Sequence, residues 1–369
     1  MATREQLEAK ILKGFQGVFG KGFEKGKTMD VSPVIVQKTE EKVRQSYEFL
    51  NLITTTPTED SAGQILSLAE GKSVGQRTVT GDKNHKRNPV DVGGFTGRDF
   101  KVEELELDVI VLWNTILQWG MGSAEVFNLY REFITRSRAL SRLRIGFYGQ
   151  SENLAVGTDL TAHPMMEDVA KGWFQYLINN APSQVYGITA GGVTPKGYDI
   201  NPINIGVGGD FTSMADFVNY LKNEHIARVH RGNTGIRAII GDELKNQDVS
   251  RILNAAGNTA TERAASESFL AMQTLGGIQA VVPDEMPSRG LFITDPKNLE
   301  YIYQTQSVRR SLEESQDKKG LVDYSWQKVD FVIKELNAIV AVHPDAIRLK
   351  DINDAWVAAS DVWAINPVV

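Results

Sequence analysis

The residues of this chain best suited to binding a metal or moving a proton near neutral pH are five histidines: His85, His163, His225, His230 and His343. They are scattered. His225 and His230 are five apart, a spacing that points two side chains of one helix well away from each other, so they make a poor metal pair. The chain has no cysteine, which removes thiol nucleophiles, disulfides and thiolate metal sites and suits a reducing compartment. No Walker, G-x-S-x-G, zinc or EF-hand pattern occurs. Glu104, Glu106 and Asp108 alternate with apolar residues, the pattern of a solvated strand face rather than of a carboxylate pair for acid–base work. One loop could hold an anion. Gly206-Val207-Gly208-Gly209-Asp210 precedes a predicted helix, and glycine amides in that position can cradle a phosphate. The loop lacks the lysine and the spacing of a P-loop, so a tight strand-to-helix turn is the plainer reading. An anion-binding α/β enzyme built on Gly206–Asp210 is therefore one functional reading. The poverty of reactive groups favours the other, a structural protein with no catalytic, cofactor-binding or metal-binding residues.

Composition narrows the class further. At 369 residues the chain exceeds what one core usually holds, so at least two domains are expected. Its 41% hydrophobic and 23% charged residues are globular values. A formal charge of −6 argues against gripping nucleic acid through phosphate neutralisation. The sequence contains no signal peptide and no apolar run long enough to span a membrane.

The elements that must position these residues follow from the patterning. In Met1 to Asp30, Leu7, Ile11 and Leu12 predict a short helix, and Phe15, Phe19 and Phe23 are four apart. Gly14, Gly17, Gly20, Gly22 and Gly26 are poor helix formers, and Lys10, Lys13, Lys21, Lys25 and Lys27 add charge. The combination predicts a mobile, partly helical arm that orders on a partner. Pro33 opens a helix running to about Asn51. Gly63 to Gly71 predicts one limb of a hairpin and Gly81 to Gly97 its tip, with Lys83, His85, Lys86 and Arg87 as a charged cluster. Lys101 to Trp113 predicts a single strand of about 40 Å, half-solvated at Glu104 to Asp108 and buried on both faces by Ile110 and Leu112. A limb of that length should project beyond its own body.

Ser123 to Phe147 predicts one long amphipathic helix, a spine, with Ser123 as N-cap and Gly146 and Gly149 as its stop. Val126, Phe127, Tyr130, Phe133, Ile134, Leu140 and Leu143 are placed on its apolar face and Arg138 off it. A second helix is expected from Pro164 to Pro182 and a third with Met214, Phe217, Val218 and Leu221 inward. Asp248 to Ala271 should be helical, whereas Arg237–Ile240, GGIQAVV and GLFIT read as short strands. The long strands LEYIYQTQ, SVRRSLEE and VDYSWQKVDFVIKELNAIVAV come last, with a bulge or bend near Lys334 to Leu336. Trp356 and Trp363 close the chain in a short helix.

Several of these segments together carry a resemblance. HPMMEDVAKGWFQYLINNAP (His163 to Pro182), GVGGDFTSMADFV (Gly206 to Val218), LFITDPKNLEYIYQ (Leu291 to Gln304), SVRRSLEE (Ser307 to Glu314) and RSRALSRLRIGFYG resemble the major capsid protein of P-two-like tailed phages. That family has the HK-ninety-seven capsid fold. The order and spacing of the motifs carry the likeness, from about Val31 to Val342. It implies an α+β fold with an N-terminal segment 1–30 that is cleaved, an N-arm 31–62 and an extended hairpin loop 63–105. A peripheral domain of 106–150 and 299–346 carries the spine, an axial domain 151–298 is inserted in it, and a tail 347–369 ends the chain. It also implies a shell of hexamers and pentamers enclosing double-stranded DNA, with a scaffold-protease and a portal as partners. A virion location after assembly in the bacterial cytoplasm follows from the same likeness. Removal of the N-terminal segment is expected between Gly26 and Ser32. Covalent crosslinking through Lys83 or Lys86 is not expected. An encapsulin-like compartment shell holding enzyme cargo is the alternative of the same fold.

Overall fold

A computed structural model describes residues 3–68, 75, 95–122, 125–150, 158, 160–190, 198–247, 274–351, 354–359 and 363. The first element is α1 (Arg4–Phe19), and it is a full helix, not a mobile arm. Thr3 and Gln6 form a capping box, with the Thr3 hydroxyl accepting from the Gln6 amide and the Gln6 side chain accepting from the Thr3 amide. Leu7, Ile11, Phe15 and Phe19 make a buried row at four-residue steps. Burying each contributes about 1.5–3 kcal/mol, which outweighs the cost of about 1 kcal/mol for each of the interior glycines Gly14 and Gly17. Phe23 folds back so that its ring stacks on that of Phe15 at 5.2 Å between centroids. Gly14 is needed where it stands, because a Cβ there would fall 2.2 Å from the Phe127 ring.

The chain continues through β1 (Met29–Asp30), α2 (Pro33–Gln45), α3 (Glu48–Leu52) and β2 (Thr54–Thr58). Next come β3 (Ala62–Leu68) and β4 (Phe95–Lys101), which pair antiparallel from Ala62↔Lys101 to Leu68↔Phe95. The single strand expected over Lys101 to Trp113 is instead β5 (Glu103–Glu106) and β6 (Val109–Leu112), and Trp113 starts a helix, α4 (Trp113–Gly122). Asp108 causes the break between them, turning back so that its carboxylate accepts from the Ser325 amide. Neither strand projects; both lie on a long strand of their own subunit. Leu112 is exposed, so burial on both faces does not occur there.

The spine is α5 (Val126–Tyr148), two residues shorter at its start than expected, with Glu125 in the N-cap position and Ser123 outside the described residues. Gly146 lies inside the helix rather than ending it. It lets the Trp173 indole lie flat against α5, where a Cβ would come within 2.5 Å of the ring. The helix expected from Pro164 is only α6 (Trp173–Asn180), preceded by turns. Gly172 caps it at a point where a Cβ would clash with the carbonyls of Ile145 and Gly146.

The remainder is β7 (Val185–Tyr186), β8 (Ile188–Ala190), β9 (Tyr198–Ile200), β10 (Ile203–Asn204), α7 (Met214–His225) and β11 (Arg237–Ile240). After these come β12 (Thr274–Leu275), β13 (Ile278–Val281), β14 (Leu291–Thr294), β15 (Leu299–Gln304), β16 (Arg309–Ser315) and β17 (Gly320–Ile333). The chain ends through β18 (Val340–Val342), β19 (Ile347–Lys350) and β20 (Trp356–Val357). The helix expected over Asp248 to Ala271 lies outside the described residues. A seven-stranded sheet has the order β1-β16-β17-β15-β2, with β5 and β6 also on β17. A six-stranded sheet has the order β12-β13-β11-β14-β18-β7. The expected bulge at Lys334–Leu336 is a crossing between the two sheets, since β17 ends at Ile333 and β18 joins β14 in the other. One core packs α1, α2, α5 and α6 with the seven-stranded sheet, and a second packs α7 with the six-stranded sheet. Trp356 is in a strand, not a helix, whereas Trp363 is fully buried and donates its indole N–H to the Phe147 carbonyl at 2.9 Å.

Candidate functional site

The densest charge chemistry of the described residues lies under α5. Val126, Tyr130 and Ile134 form a buried row at four-residue steps, and Arg138 and Arg142 continue it into the core. Arg138 is 5% exposed and Phe133 is 48% exposed, the reverse of the sequence expectation. The reason is the partner beneath. Asp323 of β17, 1% exposed, takes Arg138 Nη2 at 3.1 Å on one oxygen and Arg310 Nη2 at 3.0 Å on the other. Arg138 Nε also donates to the Leu107 carbonyl at 3.3 Å. One turn on, Arg142 donates through both terminal nitrogens to the Glu40 carboxylate of α2 at 2.5 and 2.7 Å, and its guanidinium lies 4.8 Å from the Tyr301 ring centre. Such forked pairs fix orientation as well as position. Arg144 holds Glu285 at 2.8 and 3.2 Å. Burial pushes the Tyr130 and Tyr301 hydroxyls well above the usual phenol range. It raises Asp323 too, against the pull of Arg310. Three arginines of one helix thus tie it to β17, to α2 and to the segment before β14.

The β3–β4 hairpin stands on the same sheet. Arg98 donates to the carbonyls of Ile333 and Lys334, and the Lys101 amide donates to Asp330 Oδ2 at 3.1 Å. Burial pushes the Asp330 carboxyl up to about 6, opposed by the Lys101 amide and Lys171. The hairpin tip, including Lys83, His85, Lys86 and Arg87, lies outside the described residues.

The Gly206–Asp210 loop is not an anion cradle. Three of its five amides serve the loop itself: Gly206 donates to Phe211, Gly209 to Gly206, and Asp210 to Asn204. The Asp210 carboxylate accepts from the Asn204 amide at 2.8 Å, placing a negative charge where an anion would have to enter. The following helix is capped by Ser213, not by the glycines. The structure brings no two of the described histidines together. His343 is fully buried, accepting from the Asp345 amide and facing Tyr198, and His225 packs edge-on to Tyr186. Burial lowers the His225 value. Sequence reasoning missed the Arg138–Asp323–Arg310 and Arg142–Glu40 groups, although the four-residue row from Val126 to Arg142 was a visible signal for the first.

A long helix tied by buried arginines to a sheet, with a hairpin rooted on that sheet and a second sheet beside it, is an arrangement with solved counterparts. A chain of the satellite phage P4 procapsid including size determination (Sid) protein superposes with a TM-score of 0.71, covering 88% of this chain and 95% of that one at 23% identity. The fold is therefore that of the phage capsid proteins of HK-ninety-seven type. The family described as phage major capsid protein, P2 family, matches residues 10–344, and the capsid proteins of Escherichia phage P2 are 24% identical over 312 residues, 85% of each chain. This chain belongs to the P2 family of phage major capsid proteins. It is a shell-forming protein, and neither the anion-binding enzyme nor the compartment shell is favoured.

Proposed function

We propose that this subunit builds an icosahedral phage head from hexamers and pentamers enclosing double-stranded DNA, and that it does so without catalysis. A scaffold-protease and a portal act with it, and assembly takes place in the bacterial cytoplasm. The observation that carries the reading is the β3–β4 hairpin, whose strands ladder only with each other among the described residues, with Arg98 and Lys101 anchoring its base to the sheet. A lone two-stranded hairpin is marginally stable in water, so a neighbouring subunit is the natural cover for it. Contacts of this kind can repeat around sixfold and fivefold axes with small changes of angle. Residues 31–62 would act as the arm and 63–105 as the extended loop. Residues 106–150 with 299–346 form the peripheral part, 151–298 the inserted axial part and 347–369 the tail, with β18 handing the chain to the axial sheet. Electron microscopy of the purified full-length protein tests the reading: shells or capsomers are expected, and a compact monomer at every concentration would overturn it. Nuclease-protected DNA in native particles, rather than cargo enzyme, tests the contents.

Removal of residues up to a point between Gly26 and Ser32 belongs to the same proposal. Glu24 to Thr28 are exposed between the buried Phe23 and β1, which makes them the accessible backbone of this segment. Intact-mass measurement on virion subunits decides it; mass that includes Met1 would make α1 a permanent part of the shell. An SDS gel of mature particles should show monomer without a ladder.

A further inference from the structure

A groove of about 270 Å³ lies between α1, α2 and α5. Its floor is apolar, with Phe15, Val18, Ile35 and Phe127 contributing. Its walls carry Lys38, Lys42, Arg131, Arg138 and Arg310, and the one carboxylate among them is the buried Asp323. That carboxylate is already shared between the two buried arginines. Lys38 and Lys42 are exposed, one helical turn apart on α2, and with Arg131 they have no ion pair among the described residues. Partial burial and the nearby Arg131 guanidinium hold Lys42 below its ordinary range, as expected where like charges gather unneutralised. On a chain with a formal charge of −6 this is a local reversal of sign. We infer that the groove is a docking site for an acidic amphipathic protein segment, which lays apolar side chains on the phenylalanine floor and carboxylates against Lys38, Lys42 and Arg131.

A nucleic acid fits this surface less well. Phosphates would meet the cations, but a DNA backbone has no apolar side chains to cover Phe15, Val18, Ile35 and Phe127. A helix that presents three or four apolar residues on one face and carboxylates on its flanks matches both features. The match would also neutralise charges that the isolated subunit leaves facing solvent.

The test uses the full-length subunit and a fluorescein-labelled peptide of about sixteen residues, long enough for about four helical turns, with leucines on one face and glutamates elsewhere. Fluorescence anisotropy should show saturable binding that weakens as salt rises. The double variant Lys38→Glu/Lys42→Glu should weaken it by about tenfold or more, which is about 1.4 kcal/mol. Gly17→Leu should weaken it comparably without changing any charge, because Gly17 lines the groove and a Cβ there meets nothing within 4 Å. Circular dichroism of both variants should match the parent, since all three positions lie away from packed neighbours. A peptide with serines in place of the leucines should lose binding. Undiminished binding by both variants would overturn the inference, as would equal binding of the serine peptide. Displacement of the peptide by an equal concentration of a short DNA duplex would also overturn it and mark the surface as one for phosphates.

Discussion

Arg138→Ala should be among the most damaging single changes in the subunit, and Phe133→Ala among the mildest for an aromatic. Removing the Arg138 side chain leaves Asp323, 1% exposed, with Arg310 as its one remaining cation and an oxygen that has lost its partner at 3.1 Å. It also strips the Leu107 carbonyl of a donor. Breaking a buried pair by deleting one member costs about 3–5 kcal/mol, because the other charge stays desolvated. Phe133, in contrast, is 48% exposed and touches Trp119 at 5.9 Å between ring centroids. Full burial of a phenylalanine is worth about 1.5–3 kcal/mol, so losing about half of that gives about 1 kcal/mol. Urea unfolding of the unassembled subunit, followed by tryptophan fluorescence, reads both values. A cycle of Arg138→Met, Asp323→Asn and the double variant should return a coupling of about 1–3 kcal/mol. The reasoning fails if Arg138→Ala lies within about 0.5 kcal/mol of the parent, or if Phe133→Ala proves the more costly of the two.

Arg142→Lys should not restore what Arg142 does, because an ammonium cannot make the forked bond to Glu40 or stack on Tyr301; a loss of about 2 kcal/mol or more is expected in the same assay, and parent-like unfolding would refute it. Gly172→Ala should cost about 1–3 kcal/mol by overpacking, since its Cβ would meet the Ile145 carbonyl at 2.4 Å; a stabilised variant would show that α6 can move aside. The Asp330 carboxyl, at about 6 in the fold against an ordinary 3.8, binds its proton more tightly when folded. Its contribution to stability is complete below about 4 and is lost as pH rises through about 6. The urea midpoint should therefore fall between about pH 4 and pH 6 at this site, and Asp330→Asn should flatten that part of the profile; an unchanged slope would assign the titration elsewhere.

What the sequence made legible, and what it hid, turns on particular residues. The stretches LEYIYQTQ and SVRRSLEE match β15 and β16 to within two residues at each end, because a strand flanked by others on both sides is apolar enough to show in its own spelling. Phe133 was misplaced because it sits one step from Ile134, and a rule that sends every apolar residue inward cannot separate neighbours on a helix 100° apart. The row Val126, Tyr130, Ile134, Arg138, Arg142 is stricter, and following the four-residue step rather than the hydrophobicity would have carried the arginines into the core. Their acceptance there depends on Asp323 and Glu40, which are 185 and 102 positions away in the chain and invisible to any local window. Residues 1–30 misled for a related reason. The glycines forecast disorder, and the buried row Leu7, Ile11, Phe15 and Phe19, packed in part on the Phe127 and Tyr130 rings of a distant helix, reverses that forecast.

The same long-range dependence bears on how such a subunit can serve in a shell. The ion pairs of Arg138, Arg142 and Arg144 bind α5 to three separate elements, and charges buried as deeply as those of Arg138 and Arg142 tolerate almost no change of geometry before their partners are stranded. The body around α5 therefore resists deformation. The hairpin is joined to that body at its base by hydrogen bonds from Arg98 and Lys101 to two carbonyls and one carboxylate, with Ile65 and Phe100 partly buried against the core. Bonds of that kind near solvent can be re-made at slightly different angles at small cost. A subunit built this way confines adjustment to its extensions and keeps its centre fixed, which is the division of stiffness that identical chains need when they occupy positions that are not identical.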